Sequence, residues 1–245
     1  MTAPGTFLNW LQRALLALGF GVCHQLPDRS FISGGFQQPV CARCSGMYVG
    51  VVFGLLALLF MYRYRRPPAA HADERLQAQL HWSYWIWLAL AFTAMACDGI
   101  SSYAGLRPTT DTIRLITGLA VGGALAPLLL ALLNMTLLAP RASVRMLSRP
   151  REWAVLLGVL ALAGVIDYPL GQVLGPVVPT LVGLCLLATY MTVALVVIGL
   201  VKRFEHRVNR VADAAAPALI ALVSAFVLLM LFALGKSALL TMLLS

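Results

Sequence analysis

Seven apolar runs, most of them near the length of a bilayer crossing, dominate this chain of 245 residues. They lie at 7–22, 45–62, 82–97, 113–138, 153–166, 178–201 and 217–240. A spanning helix needs roughly 20 mainly apolar residues, and lipid offers no partner for an unpaired backbone group. The composition agrees: 60% of residues are hydrophobic and 11% charged, against roughly 25% charged in an ordinary soluble domain. The fold class that follows is all-α, a polytopic bundle of about seven transmembrane helices. The first run is the weakest, because Asn9, Gln12 and Arg13 interrupt it. It also fits an amphipathic helix lying partly in the interface. It lacks the basic start of a signal peptide. Trp82, Trp85, Trp87 and Trp153 fall at starts of runs, where interfacial aromatics belong. Gly118, Gly122 and Gly123 offer close helix packing in the fourth run. No soluble domain, long linker or internal repeat stands out.

The formal charge of +9 does not point to nucleic acid, because the basic residues fall between the runs. Arg63, Arg65, Arg66 and Arg75 follow the second run. Arg141, Arg145, Arg149 and Arg151 follow the fourth, and Lys202, Arg203, Arg207 and Arg210 follow the sixth. These three loops lie on alternate crossings and so on one side, which the positive-inside rule makes cytoplasmic. The loop between the first two runs is then extracytoplasmic, as are Asp98 and Asp167. His71, His81 and His206 fall in or near the basic loops and read as solvated.

That extracytoplasmic loop carries Cys23-His24 and, sixteen residues on, Cys41-Ala42-Arg43-Cys44. Three of the chain's five cysteines are gathered there. Thiolate and imidazole suit zinc, and a C-x-x-C pair presents two sulfurs to one ion. Adjacent residues do not both reach one ion easily, so His24 is either the fourth ligand or an acid/base group. The same residues permit redox chemistry. Cys41 and Cys44 directly precede an apolar helix, whose N-terminus favours thiolate, and Arg43 adds positive charge. Cys97 and Cys185 read as packing residues.

A second constellation lies at the same face: Asp28, Arg29, Ser30, Arg43, Asp98, Arg107, Asp111 and Arg114. Ionisable groups at the edge of a span are costly and so point to function. Arginines on the side where topology does not demand them suit an anionic head group, whose oxygens match the guanidinium fork. The competing reading is mutual pairing, with Asp28, Asp98 and Asp111 neutralising Arg29, Arg107 and Arg114. Asp167, followed by Tyr168-Pro169, is a weaker candidate that also serves as a helix end.

Cys23-His24-Gln25-x-Pro27-x-Arg29-Ser30-Phe31 and Pro39-Val40-Cys41-Ala42-Arg43-Cys44-x-Gly46-x-Tyr48 closely resemble the predicted prokaryotic membrane proteins of domain-of-unknown-function family 2085. Asp98-Gly99 and Arg114-Leu115-Ile116-Thr117-Gly118 match further motifs of that family. The resemblance covers about residues 15–130. It implies that these positions belong together, and it brings no established activity. The family's usual Gln after Asp-Gly gives way here to Ser101-Ser102, and the chain continues through three further runs. It therefore divides into a motif-bearing half, 1–138, and three added helices of the same bundle, 139–245.

The leading expectation is a metal-dependent membrane enzyme of a prokaryotic inner membrane, acting on a lipid-like or anionic amphiphile at the outer face. Cys23, His24, Cys41 and Cys44 would hold zinc or another divalent transition metal. His24 and Asp98 would move protons, and Arg29, Ser30, Arg43, Arg107, Asp111 and Arg114 would hold the substrate. The second expectation is a thiol–disulfide oxidoreductase using Cys41 and Cys44, with a quinone as acceptor. The third is a lipid or small-molecule transporter with a structural metal. Its weakness is that the span centres are mostly apolar, with Asn134 and Thr136 near one end.

Overall fold

The structure, a computed structural model, describes residues 7–62, 79–137, 145–200 and 215–244. Arg63, Arg65, Arg66, Arg75, Arg141, Lys202, Arg203, Arg207 and Arg210, with His71 and His206, lie outside the described residues. Each of the seven runs forms a helix. These are α1 (Phe7–Phe20), α2 (Ala42–Tyr62), α3 (Trp82–Tyr103), α4 (Asp111–Thr136), α5 (Pro150–Asp167), α6 (Val177–Gly199) and α7 (Ala215–Leu244). A small hairpin, β1 (Ile32–Ser33) with β2 (Phe36–Gln37), follows α1, and one helical turn, Gly171–Leu174, follows α5. The protein is an all-α membrane bundle. Five helices, α2, α3, α4, α6 and α7, are long and apolar enough to cross a membrane. At 14 residues, α1 is about 21 Å long, short of a hydrocarbon core about 30 Å thick.

Several boundaries extend past the apolar runs, each for a local reason. The Thr110 hydroxyl accepts from the Ile113 N–H at 3.3 Å, so α4 begins at Asp111, an acidic first-turn residue that suits the helix dipole. The His81 side chain caps α3 at Ser83 N. α5 opens on Pro150, and the Glu152 carboxylate accepts from the N–H groups of Ser148 and Arg149 at 3.0 and 3.3 Å. α3 runs on through Asp98 to Tyr103. That extension places a carboxylate in a helix interior, where its cost must be met by partners.

Contacts between helix ends fix an alternating order. At one end Arg43 of α2 binds Asp98 of α3, Gln38 binds Asp167 of α5, and Lys236 of α7 binds Phe20 and Cys23 beside α1. At the other end the Tyr62 hydroxyl donates to Glu152 at 3.0 Å, and Leu80 bridges to Met146. An added Cβ at Gly199 would stand 2.6 Å from the Thr136 hydroxyl there. The residues flanking the three basic stretches therefore gather at the end opposite the Cys/His loop.

The tightest seam joins α2 to α4. A Cβ at Gly46 would lie 2.4 Å from the Leu115 oxygen, and one at Gly50 would lie 2.9 Å from the Leu119 oxygen. From the other side, a Cβ at Gly118 would lie 2.1 Å from the Arg43 oxygen and one at Gly122 would lie 2.2 Å from the Met47 oxygen. The two backbones touch, as they do where small residues recur every fourth position in a membrane helix pair. Gly118 and Gly122 are visible as packing residues in the sequence. Their partners Gly46, Gly50 and Gly54 carry the same spacing on α2. Gly123 instead faces α5, where its Cβ would stand 2.3 Å from Leu160.

Gly118→Ala and Gly122→Ala should each cost at least about 2 kcal/mol, because rigid backbone leaves the methyl no space. Gly158→Ala, whose Cβ would meet nothing within 4 Å, should be neutral or stabilising. Thermal unfolding in detergent reads both, and equal effects at the three positions would count against the seam.

Candidate functional site

The site loop is built by short-range hydrogen bonds. α1 closes with Val22 and Cys23 N–H groups on the Gly19 oxygen. Lys236, the lone charge in α7, donates to the Phe20 and Cys23 oxygens at 2.8 and 2.7 Å and lies 4.3 Å over the Phe20 ring. A cation thus meets the negative end of α1. Gln25 takes a positive φ of 54°, and its amide donates to the Leu16 and Pro39 oxygens, both at 2.7 Å. The hairpin turns on Gly34 and Gly35, both at positive φ, as a two-residue turn requires. A Cβ on Gly34 would stand 2.8 Å from the Gly175 Cα, so the hairpin tip rests on the segment before α6. The chain then enters α2 directly after Cys41.

This path brings the two cysteine motifs together. The donor atoms of Cys23, His24 and Cys41 all lie within 4.8 Å of one another. The Cys41 N–H donates to the Cys23 sulfur at 3.1 Å. Cys44, in the first turn of α2, stands outside that three-residue group and packs against the buried cluster that contains Cys23 and Cys41. Hydrogen bonds from Cys41 and Cys44 drive the Cys23 thiol well below its usual range. As the donor to Cys23, the Cys41 thiol is pushed up. Cys23 and Cys41 are buried, while His24 is exposed, with its Nδ1 accepting the Leu26 N–H at 3.2 Å. All five cysteines are free thiols. A tetrahedral zinc with bonds of about 2.3 Å sets its sulfurs about 3.7 Å apart, a separation that the cluster's spread accommodates.

The charged residues come paired. Asp98 is 1% exposed and accepts from Arg43, from Arg107 at 2.9 Å and from Thr109 at 3.1 Å. Arg114 binds Asp111 at 2.8 Å, and Arg29 lies 3.6 Å from Asp28 and 5.1 Å over the Tyr103 ring. Arg29, Arg107 and Arg114 each have a carboxylate partner. Asp98 meets two cations, which leaves one positive charge in excess, and it is not part of the Cys/His group. The Ser30 hydroxyl turns inward to the Leu26 oxygen at 2.9 Å. Cys97 is exposed on α3, and Cys185 is buried in α6.

Asp167 is more engaged than a simple helix end. It is 1% exposed, and its carboxylate accepts from Gln38 at 2.7 Å and Ser45 at 2.5 Å. Gln25, Gln38, Ser45 and Lys236 are site residues that sequence reasoning missed. Lys236 had a signal, since a lone lysine in a long apolar helix needs a partner. Gln25 and Ser45 adjoin the cysteines. Nothing local marks Gln38 as a partner of Asp167.

An integral membrane bundle with a Cys/His cluster at one end is the class these observations define. The family described as predicted membrane protein, domain-of-unknown-function family 2085, matches residues 23–128, and the chain belongs to it. An uncharacterised protein of Methanocaldococcus jannaschii is 32% identical over 116 residues, 47% of this chain and 66% of that one. A second, from Methanothermobacter thermautotrophicus, is 31% identical over 107 residues, 44% of this chain and 83% of that one. No solved structure matches the chain. The match covers the site loop, α2, α3 and α4 as far as residue 128, while α5, α6 and α7 lie beyond it.

Asp98→Asn should leave the mostly buried Arg43 guanidinium without its counter-charge and cost about 3 kcal/mol. The half-exposed Arg107 adds little. Asp98→Asn with Arg43→Gln should recover part of the loss. A double-mutant cycle on unfolding midpoints checks this, and strict additivity would deny the pair.

Proposed function

We propose that the protein holds one zinc-like ion in its Cys/His loop, at the extracytoplasmic end of the bundle in a prokaryotic inner membrane, and acts there on an anionic, lipid-like substrate. The observation that carries this reading is the convergence of the Cys23, His24 and Cys41 donor atoms within 4.8 Å, with Cys44 packed against the same buried cluster from the first turn of α2. Soft thiolates with an imidazole are the donor set that zinc selects. Three crowded thiols cannot all ionise alone, and a bound divalent cation lets each lose its proton. In this reading Cys23, Cys41 and Cys44 supply the thiolates. His24, at the exposed edge of the cluster, completes a closed four-ligand site or stands aside as a proton carrier beside an open position.

The substrate side of the proposal rests on Arg43 and Arg107. They share the single carboxylate of Asp98, and the Arg107 side chain is 44% exposed. Excess positive charge on an accessible guanidinium suits a phosphate or carboxylate head group. In this reading Asp98 positions the two arginines, because its oxygens are already engaged. The orientation is supported by the gathering of the basic loops' flanks at the opposite end.

A second reading, thiol–disulfide exchange with a quinone as acceptor, is favoured by one observation. The Cys41 N–H donates to the Cys23 sulfur at 3.1 Å, which favours the thiolate, the form that attacks a disulfide.

Protein purified without chelators should carry about one zinc-like ion per chain. Cys41→Ser and Cys44→Ser should each lose it, and a strong chelator should lower the unfolding temperature. Metal-free protein with a Cys41–Cys44 disulfide in non-reducing mass spectrometry would replace this reading with the second. Topology is tested separately. A cysteine introduced at Ile32, which is 50% exposed, should react with an impermeant reagent on intact cells, and cysteines near Arg65 and Arg145 should not. The opposite pattern would reverse the orientation.

A further inference from the structure

Behind the metal loop lies a second polar cluster built from different residues. Asp167 ends α5 in full burial, and no arginine, lysine or histidine among the described residues pairs with it. Its two hydrogen bonds come from neutral donors, the Gln38 amide and the Ser45 hydroxyl. A carboxylate taken out of water without a counter-charge is costly.

Two further oxygens bear on this. The Ser33 hydroxyl and the Gln38 amide oxygen are buried without any partner, and both residues are 0% exposed. Ser33 pairs with Phe36 across the hairpin, and the Gln38 N–H continues the ladder to the Phe31 oxygen. Residues two apart share a face, so Ser33 and Gln38 lie on one face of the hairpin. That face meets the segment after α5: the Ser33 oxygen is 3.2 Å from where a Cβ on Gly171, four residues past Asp167, would stand. The unpaired Gln38 oxygen thus belongs to the amide that binds the carboxylate, and the unpaired Ser33 oxygen shares its hairpin face.

The donors are all oxygen, which selects a hard cation, and the single negative charge selects a monovalent one. Calcium and magnesium sites usually recruit more carboxylates or phosphates. We propose that Asp167, Ser33, Gln38 and Ser45 form a binding site for one small monovalent cation of the sodium class. Occupancy neutralises Asp167 and fastens the hairpin, and through Ser45 the first turn of α2, to α5. The site is separate from the Cys/His cluster and does not depend on the metal reading.

The test is thermal unfolding of the full chain in detergent, with sodium chloride compared against choline chloride at equal concentration. The unfolding midpoint should rise with sodium, by on the order of 3 °C for each tenfold increase above the dissociation constant. Asp167→Asn should abolish the dependence on sodium. Ser33→Ala gives an independent reading where Asp167→Asn fails to fold. It removes an unpaired buried hydroxyl, so its midpoint in choline should equal or exceed the wild type, while its response to sodium shrinks. Identical wild-type midpoints in the two salts would overturn the proposal, as would a full sodium response in Asp167→Asn or in Ser33→Ala.

Discussion

The backbone contact between α2 and α4 is the constraint on which the rest of the site depends. Gly46 and Gly50 face Leu115, Gly118, Leu119 and Gly122 with no side chain between them. The top of that seam is the site itself, since the atom nearest a Cβ on Gly118 is the carbonyl oxygen of Arg43. Three motifs become one physical object. The Cys-Ala-Arg-Cys-x-Gly segment supplies one side of the seam and the Arg-x-x-Thr-Gly segment the other. Asp98-Gly99 supplies the carboxylate that receives Arg43, with Gly99 beside the same guanidinium. A bundle held by packing is what lipid demands, because burial of apolar surface does not itself draw helices together there.

The remaining helices hold the loop from its other sides. α5 contributes Asp167, α7 contributes Lys236, and the segment before α6 seats the hairpin at Gly175. α1 is short for a span, yet it is anchored. A Cβ on Gly183 of α6 would stand 2.6 Å from Leu15, and one on Gly21 would stand 2.5 Å from the Ala233 nitrogen of α7. The polar atoms of this end are mostly paired inside the protein, as an environment poor in water requires.

Much of this was legible in the sequence, and the reason is periodicity and spacing. Apolar runs of membrane length give helices, and alternating basic loops give their order. Two Cys motifs a loop apart become neighbours, as their shared donor chemistry suggests. Long-range pairing was not legible. Gln38 and Asp167 are 129 residues apart, and Lys236 and Cys23 are 213 apart. No local pattern encodes such partners, because they follow from how helices dock. Asp98 illustrates the same limit. Its pairing with the nearby Arg107 is readable in the sequence, whereas Arg43, 55 residues away, becomes a second partner only once α2 and α3 dock.

The central claim is that the thiolates of the Cys/His loop, Cys23, Cys41 and Cys44, are ligands of one metal ion. X-ray absorption spectroscopy on protein purified without chelators tests it most directly, because it reads the atoms around the ion. The account predicts a zinc-type edge with a first shell of sulfur at about 2.3 Å and one nitrogen or oxygen at about 2.0 Å. A first shell of oxygen and nitrogen only, or the absence of stoichiometric metal in protein whose thiols are oxidised, would contradict it.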